Sequence, residues 1–138
     1  MPIRFEVTAS CGRIVNSDHN MSTDDVLDQE AIAELRDVAG DQLASVLRDY
    51  LINGARYESR ILAARARLDW DDLCEVVHNM KGSYGYVGAT KLVRQCGELQ
   101  RLIREDHDDI QKRLKLSGEL LDEFRQVRRA LGRLIPPD

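Results

Sequence analysis

From Leu43 to Leu134 the apolar residues return every three or four positions, and that period constrains the fold more than any other feature. Spacing of three and four lays one apolar stripe along a helix, whereas a half-buried strand needs strict alternation. Leu43, Val46, Leu47, Tyr50, Leu51, Gly54, Tyr57, Ile61 and Leu62 form the first long stripe. They predict a helix over 41–67, a rod roughly 40 Å long at about 1.5 Å per residue. Asp69 is placed to cap the next helix, with Asp72 completing an approximate capping box. That helix carries Leu73, Val76, Val77, Met80, Tyr84 and Val87 and stops at Gly88. Another starts near Ala89 and carries Leu92, Val93, Cys96, Leu99, Leu102 and Ile103. The run Glu105-Asp106-His107-Asp108-Asp109 reads as a turn followed by the acidic first turn of a last helix. Ile110, Leu114, Leu120, Leu121, Phe124, Val127, Leu131 and Leu134 mark that helix's buried stripe.

Upstream, a short helix is expected from about Thr23 to Ala39. Asp24 and Asp25 would sit in its first turn, Gly40 would stop it, and Asp41 would cap its successor. Residues 1–22 have no helical period and are rich in Ser, Asn, Asp and Gly, so they read as a poorly ordered tail, with Met21 as an alternative start. The expected domain spans 23–135. Each helix has one apolar stripe and the connections are short. The fold class is therefore all-α, an up-down-up-down four-helix bundle with a short extra N-terminal helix. Aromatics at 5% and only three prolines agree with helices.

Composition matters mainly for what it excludes. Twenty-four acidic against 20 basic residues give a net charge of -4, a poor field for nucleic acid. No apolar run approaches the roughly 20 residues that cross a bilayer, and the first residues lack a secretory h-region. Cys11, Cys74 and Cys96 are odd in number without CxxC spacing, so they read as reduced thiols of a cytoplasmic protein. No metal site is expected.

The chemistry is concentrated in Val77-His78-Asn79-Met80-Lys81-Gly82-Ser83-Tyr84-Gly85-Tyr86-Val87-Gly88. With His78 at 0° on a helical wheel, the apolar residues of this helix centre near about 200°. His78 therefore points away from the core. Gly82 falls at about 40°, Gly85 at about 340° and Lys81 at about 300°, all flanking it. A glycine inside a helix costs about 1 kcal/mol relative to alanine, so two on one face call for a reason. Bare backbone there would let another protein approach the imidazole. An imidazole is a competent nucleophile at neutral pH, and Lys81, one turn away, would screen a phosphoryl group on it. No nearby group supplies the metal and acid that phosphoryl transfer uses, so a partner would bring them. An exposed helical histidine is more often only solvated surface, and helix glycines also serve tight packing; periodicity alone leaves both readings open.

His78-Asn79-Met80-Lys81-Gly82-Ser83, followed by Gly88-Ala89, Leu92, Cys96 and Leu99, resembles the histidine-containing phosphotransfer (HPt) domain family. The likeness covers about 26–132. It implies a phosphorelay intermediate of two-component signalling, not an enzyme by itself. His78 would accept a phosphoryl group from a receiver-domain aspartate or a kinase and pass it to a response-regulator receiver. Lys81 matches the lysine that neutralises phosphoryl charge, Gly82 the glycine that clears room, and Gln100 a polar position beside the histidine. Gln100 stands where many members have Glu. Expected partners are receiver domains and hybrid sensor kinases, with Mg²⁺ held by the receiver and the chain itself a monomer without a cofactor. Arg101 and Arg104, near Gln100, are candidates for docking acidic receiver sites, and Cys74, at about 320°, for the histidine's face. His19 and His107 read as incidental, and Arg125, Arg128, Arg129 and Arg133 as a solvated basic end. Two alternatives stay open: a helical adaptor that binds a receiver or kinase without carrying phosphate, and a module of a longer hybrid kinase.

Overall fold

The computed structural model describes residues 26–105 and 109–136. The expected tail, Asp24, Asp25, Cys11, His19 and His107 lie outside them. Helices α1 (Gln29–Ala39), α2 (Leu43–Arg67), α3 (Trp70–Tyr84), α4 (Thr90–Glu105) and α5 (Ile110–Arg133) follow in order. Helices α2 to α5 close a ring in which each packs on the next and α5 returns to α2. Tyr50, early in α2, donates to the Ser83 carbonyl late in α3, while Arg65, late in α2, bonds Ser117 early in α5. Neighbours therefore run antiparallel. This is the expected bundle, with α1 as the extra helix, and no strand occurs among the described residues. Among those residues no helix is long and apolar enough to cross a membrane.

The core follows the stripes: Leu47, Ile61, Leu73, Val77, Met80, Leu92, Leu99, Leu120, Phe124 and Leu131 are buried. Tyr84 sits at its centre, edge-on to Tyr50, Tyr57 and Phe124 with centroids 5.3, 6.3 and 5.2 Å away. Its hydroxyl donates to the Tyr50 carbonyl at 3.1 Å, which satisfies the one polar atom it buries. Gly54 makes this possible. A Cβ there would stand 3.0 Å from both the Tyr84 hydroxyl and Arg128 Nε. Arg128 and Arg125 pair with Glu58 and tie α5 to α2.

Several boundaries differ from expectation, each for a local reason. Helix α1 starts at Gln29, where the Asp28 carboxylate accepts from the Glu30 amide and caps it; Val26 before it is also helical, and the expected start near Thr23 lies outside the described residues. Asp41 caps nothing. It lies in a 3-10 turn, Gly40–Gln42, and α2 begins without a side-chain cap. Asp69 does cap α3, accepting from the Asp72 amide, but Asp72 pairs with Arg60 at 2.7 Å rather than reaching back. The α-helical part of α3 ends at Tyr84, and Gly85–Val87 form a 3-10 turn closed by Gly88 in the left-handed region. Leu62 is exposed and lies off the packed face of α2, where Leu47, Gly54, Ile61 and Ala64 are buried and Leu43, Tyr50, Leu51 and Tyr57 pack partly buried against the core. Asp109 caps α5 through the Lys112 amide.

Candidate functional site

Helix α3 buries Leu73, Val76, Val77, Met80 and Tyr84 between α2 and α4, which turns His78 outward, half a helix away. The imidazole is exposed. One of its edges meets α4: Gln100 Nε2 lies 3.3 Å from His78 Nδ1. Gln100 is only 4% exposed, so a buried amide meets the inner ring nitrogen, and Nε2 is the ring nitrogen without that contact. A half-turn of that amide presents its oxygen instead, so Gln100 suits either tautomer of the ring.

Cys74 and Asp71, one and two turns before His78, line a shallow depression with Glu75, His78, Gln100, Ile103 and Arg104. The predicted residues Cys74, His78, Gln100 and Arg104 are thus brought together. Arg101 is not among them. It stands one residue round α4 from Gln100 and lines a separate depression with Glu98, Leu102, Glu105, Lys112 and Leu116. Adjacent helical residues diverge by about 100°, so Arg101 faces a different side of α4 from Gln100.

On the other flank Lys81 is exposed and reaches across to α4. A Cβ at Gly97 would lie 3.9 Å from Lys81 Nζ, an ordinary contact, so the lysine lies against α4 beside this glycine. Gly97 was missed from sequence. Its signal was a glycine one turn before Gln100, on the same side of an otherwise amphipathic helix. Gly82 and Gly85 keep the face bare, since a Cβ at either would meet nothing within 4 Å. Gly85 lies in the 3-10 turn, so the helix-interior cost applies to Gly82 alone.

The remaining groups are inert or structural. Burial pushes the Cys96 thiol up to about 12, with Lys81 pulling the other way, so it stays a protonated core residue. Burial also raises the Tyr50 hydroxyl, whose bond to Ser83 opposes the shift while Tyr86 and Tyr57 add to it. Among the described residues no three His, Cys, Asp or Glu side chains are grouped to hold a metal.

A four-helix bundle with an exposed histidine in contact with a side chain of the next helix agrees with the arrangement that the resemblance to histidine phosphotransfer domains implies. The family model described as Hpt domain matches residues 45–134, and the chain belongs to that family. Among solved structures it is similar to histidine-containing phosphotransfer protein B from Pseudomonas aeruginosa PAO1, with 25% identity and a TM-score of 0.71. That match covers 78% of this chain and 92% of the other. No curated protein matches the sequence. The family places the chain in phosphorelay signalling, as a carrier of phosphoryl groups.

Proposed function

We propose that His78 is the phosphoacceptor and that Nε2 is the atom that forms the bond. The observation that carries this is the Gln100 amide 3.3 Å from Nδ1, which orients an otherwise exposed ring. In the reacting tautomer the Gln100 amide is turned over, and Nδ1–H donates a hydrogen bond to its oxygen. The Nε2 lone pair attacks phosphorus in the acyl phosphate of a receiver aspartate. The N–P bond forms as the P–O bond to the aspartate breaks, and the carboxylate leaves with the electron pair. No proton need be lost, because the ring ends as an Nε2-phosphoryl imidazolium still protonated at Nδ1. Return transfer to a second receiver reverses the same step. Lys81 and Arg104 flank the phosphoryl group as counter-charges. The in-line geometry and the Mg²⁺ belong to the receiver.

The family assignment and the bare face around Gly82 support a receiver as partner over a phosphate-free adaptor role. The test is labelling by phosphorylated receiver domains with Mg²⁺. Wild type should gain one acid-labile phosphate and His78→Gln none. Equal labelling of both would overturn the assignment.

A further inference from the structure

We infer that Tyr86 is the anchor by which this protein holds its receiver, and a determinant of which receiver it accepts; this rests on the reading of His78 as phosphoacceptor. Tyr86 is 77% exposed and is the sole exposed aromatic side chain among the described residues. Among those residues it has no side-chain hydrogen bond or ring contact. A single exposed apolar residue needs no explanation by itself, so the inference depends on where this one stands. It follows Gly85 in the 3-10 turn that ends the histidine's helix. Along the axis it lies about 12 Å beyond His78. Six α-helical steps at about 100° and two 3-10 steps at about 120° put it near 120° on the wheel, on the side of Asn79 and away from Lys81 and α4.

A receiver that reaches His78 must cover the ground between. A protein interface of ordinary size takes about 800 Å² from each partner, a disc of roughly 16 Å radius. Centred on His78, that disc includes Tyr86. The strip from His78 to Tyr86 is low: it carries the short side chains of Asn79 and Ser83 beside Gly82 and Gly85, where a Cβ would meet nothing within 4 Å. A tyrosine at the rim of such a strip projects into the partner instead of being screened by neighbours. Tyrosine is among the residues that concentrate binding energy when covered, because it buries a large rigid ring at little entropic cost. Lys81 and Arg104 suit the receiver's acidic pocket, and Tyr86 suits an apolar patch beside it. The occupant is therefore a receiver with an exposed apolar surface about 12 Å from its phosphoacceptor aspartate.

The test separates docking from chemistry. Phosphoramidate, a small donor that needs no docking surface, should label wild type and Tyr86→Ala at equal rates and leave His78→Gln unlabelled. Each purified receiver of the source genome, phosphorylated with Mg²⁺, is then used as donor. For the receivers that serve wild type, Tyr86→Ala should raise KM about tenfold or more with kcat held. Tyr86→Phe should keep the wild-type KM, because the ring and not the hydroxyl is buried. An unchanged KM for Tyr86→Ala with every receiver overturns the anchor and leaves His78 standing. A slower phosphoramidate reaction in Tyr86→Ala also overturns it, since the residue would then act on the histidine itself. Labelling of His78→Gln by phosphoramidate equal to wild type overturns the phosphoacceptor reading and the anchor with it.

Discussion

Single atoms decide which nucleophiles on this molecule can react. Cys74 is half-buried beside His78, whereas Cys96 is fully buried with its thiol pushed up to about 12. A thiolate is the reactive form, so iodoacetamide at pH 8 should modify Cys74 in the native protein and Cys96 only after unfolding. Peptide mass mapping checks this, and equal rates would contradict the burial of Cys96. Gly82 makes the complementary case. A Cβ there meets nothing, so Gly82→Ala should raise stability, by up to about 1 kcal/mol in a thermal or urea melt. Gly82→Trp should remain folded and block receiver transfer by steric exclusion while phosphoramidate still labels His78. At this scale the sequence was informative about direction. The wheel placed His78, Gly82 and Tyr84 on the sides they occupy, because those sides depend only on helical period. It could not give the 3.3 Å contact between Gln100 and His78, which joins positions 22 residues apart on two helices.

Turns and caps set where each helix stops, and here the sequence was a weaker guide. Gly88 has φ +72, and a Cβ on it would stand 2.6 Å from Asp28 Cβ and 2.8 Å from the Asp28 amide. Its carbonyl accepts from that same amide at 2.8 Å. One glycine therefore ends the histidine's helical segment and seats the start of α1 against it. Gly88→Ala would strain the left-handed backbone and collide with α1, so a loss of about 2–3 kcal/mol is expected in denaturant melts. A loss below half a kcal/mol would show that α1 is not held there. The glycine was legible as a helix stop, but its second role depends on a contact with residue 28, which no local pattern encodes. Likewise Asp41 had the chemistry of a cap, yet the chain tightens into a 3-10 turn before α2 and leaves it without that role. Local propensities at helix ends differ by amounts that tertiary packing easily outweighs.

Taken whole, the bundle also buries charge where helices α4 and α5 meet. Glu123 is only 5% exposed, with Lys91 at 3.7 Å. Burial raises its carboxyl above the usual range, and Lys91 and Arg94 offset only part of that. A carboxyl whose folded value is raised favours the folded state fully below the unfolded value, near 4.3, and that contribution is lost as pH rises through the folded value. Glu123→Gln should therefore raise the melting temperature by a few degrees at pH 7 and change little at pH 4. A lower melting temperature at pH 7 would mean that the pair with Lys91 outweighs the burial. The all-α class, the helix order and the outward face of His78 were already fixed by the apolar period, because burying one stripe per helix leaves a bundle as the economical solution. The Lys-Gly-Ser and Gly-Ala pattern added the family. Only the tertiary structure decided that Gln100 holds Nδ1, that Lys81 lies against α4 beside Gly97, that Arg104 shares the histidine's depression while Arg101 does not, and that Tyr86 stands exposed at the end of a low strip. Each of these is a distance or an exposure set by how α3, α4 and their turn pack, and a one-dimensional period has no means to specify the rotation of one helix against another.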